Sequence, residues 1–264
     1  MIAVKLNPKA VPESTAGRGR YRFRCRLPLV DGSGTGINPQ IHPLQESMMG
    51  QSKVKPPGER VIRALLDKYA CPVPYHEVRT RLLGSIACPA LDVMPMTVIA
   101  GLWGGTLPEF ESLDDANAVL GALAMGLWNE LADHQDPRKP FRAVRIPLEP
   151  TSINLGNMRM VRVQEIEGFV DGLFNGEEEA GLPERAHEAV THLGEIRAMM
   201  GAVADLIERT QGEPEDRAQI KETIKHLRVM TEIMETEIHA AVLSCTAARV
   251  QGLPGLAMPW ETRH

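Results

Sequence analysis

Aromatic side chains are scarce in this chain, at 4% of 264 residues, so its core has to be built from aliphatic side chains and 13 methionines. Cysteine is also rare, and the four positions form no CxxC pair: Cys25, Cys71, Cys88 and Cys245. This spacing favours reduced thiols over a disulfide framework. The sequence has no apolar run of membrane-spanning length and no signal-peptide core. We therefore expect a cytoplasmic protein without a membrane contact.

The charge is distributed unevenly along the chain. Residues 1–57 contain nine Lys/Arg and three Asp/Glu, a net charge of +6, which leaves −11 for the remainder out of a total of −5. The acidic remainder argues against nucleic-acid binding by the globular part, because phosphate binding needs a positive surface.

The basic segment supports an alternative function. Its arginines alternate with aromatic residues, which could contact phosphates and stack on bases, respectively. The nucleic-acid candidates are Arg18, Arg20, Tyr21, Arg22, Phe23, Arg24 and Arg26. Because residues 1–56 show no helical period, we expect a flexible basic arm there. Met48 and Met49 are plausible start codons, which leads to the hypothesis that residues 1–47 lie outside the native product.

Helical periodicity begins at Pro57, where proline is tolerated in a first turn. In the first helix, Val61, Leu65 and Tyr69 are predicted to share the core face, widened by Ile62 and Leu66. A second helix is expected from 75 to 87, followed by a short third helix. The core residues predicted for these two helices are Val78, Leu82, Leu83, Ile86, Val98, Ile99 and Leu102.

A longer helix is predicted from Ser112 to about His134. Ser112 is a good N-cap, with Asp115 in a capping-box-like position. Its apolar stripe is predicted at Val119, Leu120, Leu123, Leu127 and Leu131. Small residues on its other sides indicate a central, closely packed helix. A loop should follow to about residue 157, with helix resuming near Met160.

The last third of the chain has two heptad series. The first contains Ala189, Leu193, Ile196, Met200, Val203, Ile207 and Thr210, and the second Ile220, Ile224, Leu227, Thr231, Met234, Ile238, Ala241 and Cys245. The turn between them, with Gly212 and Pro214, predicts an antiparallel helical hairpin. The longer second helix would leave an apolar seam. Either the chain's own body covers that seam, or a homodimer or other protein partner binds through the hairpin.

Three sequence blocks over about residues 75–205 resemble the YecA/YgfB-like family of uncharacterised bacterial proteins. They are RLLGSIACPALDVMP followed by GLWGGTLPEFES, then LGALAMGLWNELA, then EIEGFVDGLF. The resemblance implies an all-helical fold and a set of family-motif residues that are candidates for an interaction surface. This set is Trp103, Gly104, Phe110, Trp128, Asn129, Glu130, Gly168, Phe169 and Gly172.

The chain departs from that family at two points. Many members carry a C-terminal Cys/His zinc tail, whereas this chain has no cysteine after Cys245, so no zinc site is implied. The usual aromatic residue in the first glycine-containing helix is replaced by Leu82 or Leu83. The resemblance therefore bears on the fold more than on an activity.

The residues suited to catalysis or metal binding form no convincing pattern. His187 and His192 are five residues apart, so they do not share a helix face as paired ligands would. The carboxylates Glu109, Glu111, Asp114 and Asp115 could form an acid/base pair, but are more simply a solvated helix start. The four-residue spacing of Gly168 and Gly172 indicates close helix packing rather than a binding site.

Taken together, the sequence predicts an all-α protein with a C-terminal antiparallel heptad hairpin. We expect a basic arm at 1–56, a YecA/YgfB-like helical domain at 57–180, the hairpin at 181–250 and a flexible tail at 251–264. The expected function is a non-catalytic cytoplasmic interaction or regulatory adaptor without a cofactor. Its expected contact surfaces are the Met-rich hairpin and the region around Trp103. Nucleic-acid association through residues 18–26 is the alternative.

Overall fold

The computed structural model describes residues 58–90, 92–146, 149–177, 181–209 and 216–252, which are mostly helical and contain no strand. This confirms the all-α prediction for that part of the chain. The predicted basic arm, including Arg18 to Arg26, lies outside the described residues, as does the tail beyond Gly252. The predictions made for those two segments therefore stay predictions.

Eight α-helices are formed by the described residues. They are α1 (Glu59–Lys68), α2 (Tyr75–Ala87), α3 (Pro95–Gly101), α4 (Leu113–Leu120), α5 (Trp128–Ala132), α6 (Ser152–Phe174), α7 (Glu184–Arg209) and α8 (Arg217–Gly252). A π-helical segment, Gly121–Leu127, joins α4 directly to α5, and a 3-10 turn, Asp133–Gln135, follows α5. The predicted helix from Ser112 to about His134 is thus one continuous element with a change of hydrogen-bond register in its middle.

Helix α2 occupies the centre of the fold. It packs mainly on α6 and also contacts α1, α3, α5 and α8, and ten of its 13 residues are buried. The expectation that the helix from 112 to 134 is the central one was wrong. Its small residues Ala122 and Gly126 are buried, but another side is open to solvent, where Leu113 is 77% and Met125 72% exposed.

Three glycines allow the backbones of α2 and α6 to come close. A Cβ added at Gly84 would lie 2.1 Å from the carbonyl oxygen of Phe169, and one at Gly172 would lie 2.0 Å from that of Arg81. At Gly168 the added atom would lie 2.8 Å from the carbonyl oxygen of Glu77. Only glycine fits at such distances, which accords with the close packing indicated by the four-residue spacing on α6.

The second heptad series is buried at each of its eight positions, from Ile220 to Cys245. In the first series the five positions from Ala189 to Val203 are buried and Ile207 is partly buried. Helices α7 and α8 pack on each other and on α6, and α8 also contacts α2. The chain's own body therefore covers the seam. The turn lies outside the described residues, so the hairpin connection stays a prediction.

Two features differ from the sequence prediction, namely the face through which α1 packs and the residue at which α6 begins. Val61 is 50% exposed, because α1 packs through Ile62, Leu66 and Tyr69 instead. Helix α6 begins at Ser152 rather than near Met160, since the Thr151 hydroxyl accepts a 3.2 Å hydrogen bond from the backbone N–H of Asn154. Burial of residues in the early turns of α6 then offsets its weak local helix propensity.

A buried ion pair fixes the irregular segment before α6. Arg162 and Glu165 form this pair on α6, where both are buried. Glu165 accepts a hydrogen bond from the backbone N–H of Val144 at 3.0 Å, and Arg162 donates to the carbonyl oxygen of the same residue at 2.7 Å. Arg162 also donates to the Thr231 hydroxyl on α8 at 3.2 Å. Each charge is thus compensated, as burial requires.

Candidate functional site

The aromatic residues of the Trp-Gly-Gly segment close over the end of α1. The indole N–H of Trp103 donates to the carbonyl oxygen of Tyr69 at 2.9 Å. The Phe110 ring meets the Tyr69 ring edge-on, with centroids 5.1 Å apart. Gly104 and Gly105 have φ angles of 79° and 101°, which form a turn that favours glycine. Trp103, Gly104 and Phe110 therefore shape this turn, and the indole donor already has an internal partner.

Two of the four carboxylates at the start of α4, Asp115 and Glu111, approach the same Lys68 ammonium. Asp115 is held by the Lys68 ammonium at 2.8 Å and by the Ser112 hydroxyl at 3.0 Å, and the Lys68 contact lowers the pKa of Asp115. Ser112 also accepts the backbone N–H of Asp115, which confirms the predicted N-cap. Glu111 approaches Lys68 only to 3.8 Å. The set forms a helix start, and the structure gives it no acid/base geometry.

The outer side of the continuous helix from 113 to 132 carries two large exposed apolar side chains. Its members follow one another at four-residue intervals: Leu113, Asn117, Gly121, Met125 and Asn129. We call these five residues the Met125 face. Leu113 and Met125 are its large exposed side chains. Gly121 lies between them, and no heavy atom lies within 4 Å of where its Cβ would be. The face is therefore a ridge with a notch in it.

The π-helical segment Gly121–Leu127 contains two of these five residues, Gly121 and Met125. A π-helical turn closes from residue i to i+5 and contains more residues than an α-helical turn, so residues four apart drift less around the axis. The Asn129 side-chain amide donates to the carbonyl oxygen of Met125 at 2.8 Å, which directs Asn129 along the same face. Such segments occur frequently at functional sites.

The two borders of the Met125 face differ in polarity. The residue before each of its last three members is apolar and partly buried, namely Leu120, Ala124 and Trp128. Within the described structure the indole N–H of Trp128 has no hydrogen-bond partner, unlike that of Trp103. The residues that follow Leu113 and Asn129 are Asp114 and Glu130, which are exposed. One border is thus apolar with a free donor, and the other is acidic at its two ends.

The charged residues in the segment that contains the Met125 face are all acidic. Residues 104–137 contain seven Asp/Glu and no Lys or Arg. Three cations that reach this region from outside it are each paired with a carboxylate: Lys68 with Asp115, Lys139 with Asp133 and Arg138 with Asp136. A fourth cation, Arg79, acts electrostatically on the same His134 imidazole as Glu130 and donates to the carbonyl oxygen of Arg142. Asp114 and Glu130 have no ion-pair partner in the described part of the chain.

The remaining candidates from the sequence lie inside the protein. Gly168 and Gly172 lie at the α2–α6 crossing, and Phe169 is fully buried beside them. In the predicted Met-rich hairpin, Met200 and Met234 are buried, and Met199 is the exposed methionine of α7. The candidates Trp128, Asn129 and Glu130 lie on or beside the Met125 face, whereas sequence reasoning did not single out Leu113, Gly121 and Met125. Their four-residue spacing opposite the apolar stripe was the signal that could have identified them.

An open cleft of about 430 Å³ lies at the C-terminal end of α6. One guanidinium nitrogen of Arg81 donates there to Glu77 and to Asp171, both at 3.0 Å. The cleft is also lined by Ser85, Asn175 and Glu177, among other residues. Two carboxylates already engage this cation through one nitrogen, while its buried Nε has no hydrogen-bond partner within the described residues.

Two of the described thiols, Cys71 and Cys245, are poor nucleophiles. Burial raises the pKa of Cys71, and it raises the pKa of Cys245 to about 11. Both therefore stay protonated at neutral pH, whereas a reactive cysteine needs the thiolate. Among the described residues there is also no group of three or more His, Cys, Asp or Glu that could hold a metal ion.

No family model, curated protein or solved structure matches this chain. The resemblance to the YecA/YgfB-like family therefore stays a prediction. In addition, none of the described helices is long and apolar enough to cross a bilayer.

Proposed function

We propose that this chain is a non-catalytic cytoplasmic adaptor of YecA/YgfB-like type, and that it binds a partner protein through the Met125 face. One observation carries the proposal: Leu113 and Met125 are 77% and 72% exposed on a single helix face, with the open Gly121 between them. Large apolar side chains grouped on one surface are typical of interaction sites. Burial of Met125 by a partner would remove apolar area from water, which favours binding.

The residues around Met125 suit a protein partner. Methionine adapts its shape to the surface it contacts, and the absence of a Cβ at Gly121 lets a partner backbone approach closely. Trp128 offers an apolar ring together with a free N–H, a combination that is enriched at the centres of interfaces. This favours the Met125 face over the region around Trp103, whose indole donor is engaged.

The test is affinity capture with the tagged full-length chain and its Met125→Ala and Leu113→Ala variants. Ile153→Ala is the matched control, because Ile153 on α6 is 75% exposed and lies outside the Met125 face. We expect a partner that survives nuclease treatment and binds wild type and the control equally. Its affinity for Met125→Ala should fall by about tenfold, the effect of roughly 1.4 kcal/mol. Equal recovery by all variants would contradict the proposal.

Nucleic-acid association is the second candidate, favoured by the +6 net charge of residues 1–57 and the alternating arginines from Arg18 to Arg26. The expected phosphate contacts make affinity for single-stranded nucleic acid fall steeply with salt. Deleting residues 1–47 should abolish this binding and its salt dependence in a fluorescence anisotropy titration. The same affinity with and without the arm would exclude this function.

A further inference from the structure

We propose that the partner segment bound by the Met125 face is a basic amphipathic helix of another protein. This inference rests on the proposed function and adds to it the chemistry of the partner. The apolar side of that helix would lie on Leu113 and Met125. Its Lys or Arg side chains would reach the acidic border at Asp114 and Glu130.

The acidic border fixes the sign of the partner's charge. Asp114 and Glu130 are exposed and have no ion-pair partner in the described structure. The surrounding residues 104–137 add further carboxylates and no Lys or Arg. A surface of one sign attracts partners of opposite charge and repels those of the same charge. A basic partner is therefore favoured.

The same charge argues against three other occupants. In a two-fold contact between copies of this chain, the Met125 face would meet itself, and the two acidic borders would repel each other. Nucleic acid carries a negative backbone, which this border also repels. An anionic lipid surface is disfavoured for the same reason. A basic protein segment satisfies both the apolar ridge and the acidic border.

The shape of the face favours a helical partner. The notch at Gly121 can take a ridge of side chains from a second helix, as in ridges-into-grooves packing. An extended peptide would instead need a free sheet edge to pair with, and the described residues contain no strand. Asp114 and Glu130 are 16 residues apart, or roughly 20–24 Å along the helix. A bound helix of about four turns would span both.

The experiment uses three synthetic peptides and the full-length chain. The first is an amphipathic helix with a leucine face and a lysine face, the second keeps the leucine face but has glutamates, and the third is a scramble of the first. Binding is measured by fluorescence anisotropy at low and high salt. We expect the lysine peptide to bind at least about tenfold more tightly than either other peptide, and more weakly as salt rises.

Variants of the chain locate that binding. The double variant Asp114→Lys/Glu130→Lys should weaken binding of the lysine peptide at least about tenfold. The control Glu195→Lys/Glu232→Lys makes the same change in net charge at two exposed positions outside the face, and should have little effect. Circular dichroism melts establish that both double variants fold.

The outcomes separate this inference from the proposed function. Equal binding of the glutamate and lysine peptides would overturn the basic-partner inference and leave an apolar docking face. Lysine-peptide binding that resists both Met125→Ala and the double charge reversal would overturn the inference, because the peptide would bind elsewhere. A dimer in sedimentation equilibrium that Met125→Ala dissociates would show a second copy on the face, and would also overturn it. If Met125→Ala loses its captured partner but the wild-type chain does not bind the lysine peptide, the basic-partner inference is refuted and the proposed adaptor function is upheld.

Discussion

Replacing Gly172 with alanine should destabilise the protein strongly, although alanine is the better helix former. The added Cβ would lie 2.0 Å from the carbonyl oxygen of Arg81, whereas real Cβ atoms stay more than 3.0 Å from such atoms. Helices α2 and α6 would have to separate by about 1 Å at their crossing, which disturbs a close-packed core. In an open helix, the same substitution stabilises by about 1 kcal/mol.

The size of the effect follows from these opposing contributions. Overpacking of a core costs about 1–3 kcal/mol and sometimes more. Because the clash at Gly172 is with backbone, which cannot rotate away, we expect a net loss of about 3 kcal/mol. For a chain of this size, that corresponds to a midpoint of thermal unfolding about 6–12 °C lower.

The matched control is Gly194→Ala on α7, where no heavy atom lies within 4 Å of the added Cβ. The control should raise the midpoint by about 2–4 °C, because only the helix-propensity gain remains. Both variants are measured by circular dichroism melts and urea unfolding. An unchanged or higher midpoint for Gly172→Ala would refute the close backbone crossing.

Three further predictions concern stability. Glu165→Gln should lower the free energy of unfolding in urea by about 3–5 kcal/mol, because it leaves the buried Arg162 charge uncompensated. The control Glu167→Gln breaks an exposed ion pair and should cost less than about 1 kcal/mol. Equal losses for the two variants would contradict this prediction. Burial lowers the pKa of His76 below its unfolded value near 6.5, so the unfolded state binds more protons and the free energy of unfolding should fall between about pH 7 and pH 5.5. A His76→Gln variant should show a shallower pH slope, and an unchanged slope would count against this assignment. Ser112→Ala should cost about 1 kcal/mol through loss of the N-cap bond, and a melt identical to wild type would refute that role.

Much of the fold could be predicted where the helical period is strong. The predicted span 75–87 coincides with α2, and the heptad positions on α8 are buried as predicted. Both results follow from burial of an apolar stripe, which is a property of the sequence itself. Val61 was misplaced because adjacent apolar residues on α1 allow two overlapping faces, and packing against the core selects the one with Ile62.

Other features depend on contacts that no local pattern records. The early start of α6 depends on the cap at Thr151 and on tertiary burial. The π-helical segment changes the hydrogen-bond register without interrupting the apolar stripe, so its presence was not predicted. The Met125 face was missed for a related reason. Small residues around Met125 were interpreted as packing positions, and Ala122 and Gly126 are indeed buried, but Met125 itself lies on the exposed side of the same helix.

The most direct test that the Met125 face binds another protein is site-specific photocrosslinking in cells that make the protein natively. A photoreactive amino acid is placed at Asn117, which lies on the Met125 face, or at Asn157, an exposed position on α6. We expect the probe at Asn117 to crosslink to another protein and the probe at Asn157 not to do so. The Met125→Ala substitution should remove the adduct formed from Asn117. The absence of an adduct from Asn117, or equal adducts from both positions, would contradict this expectation.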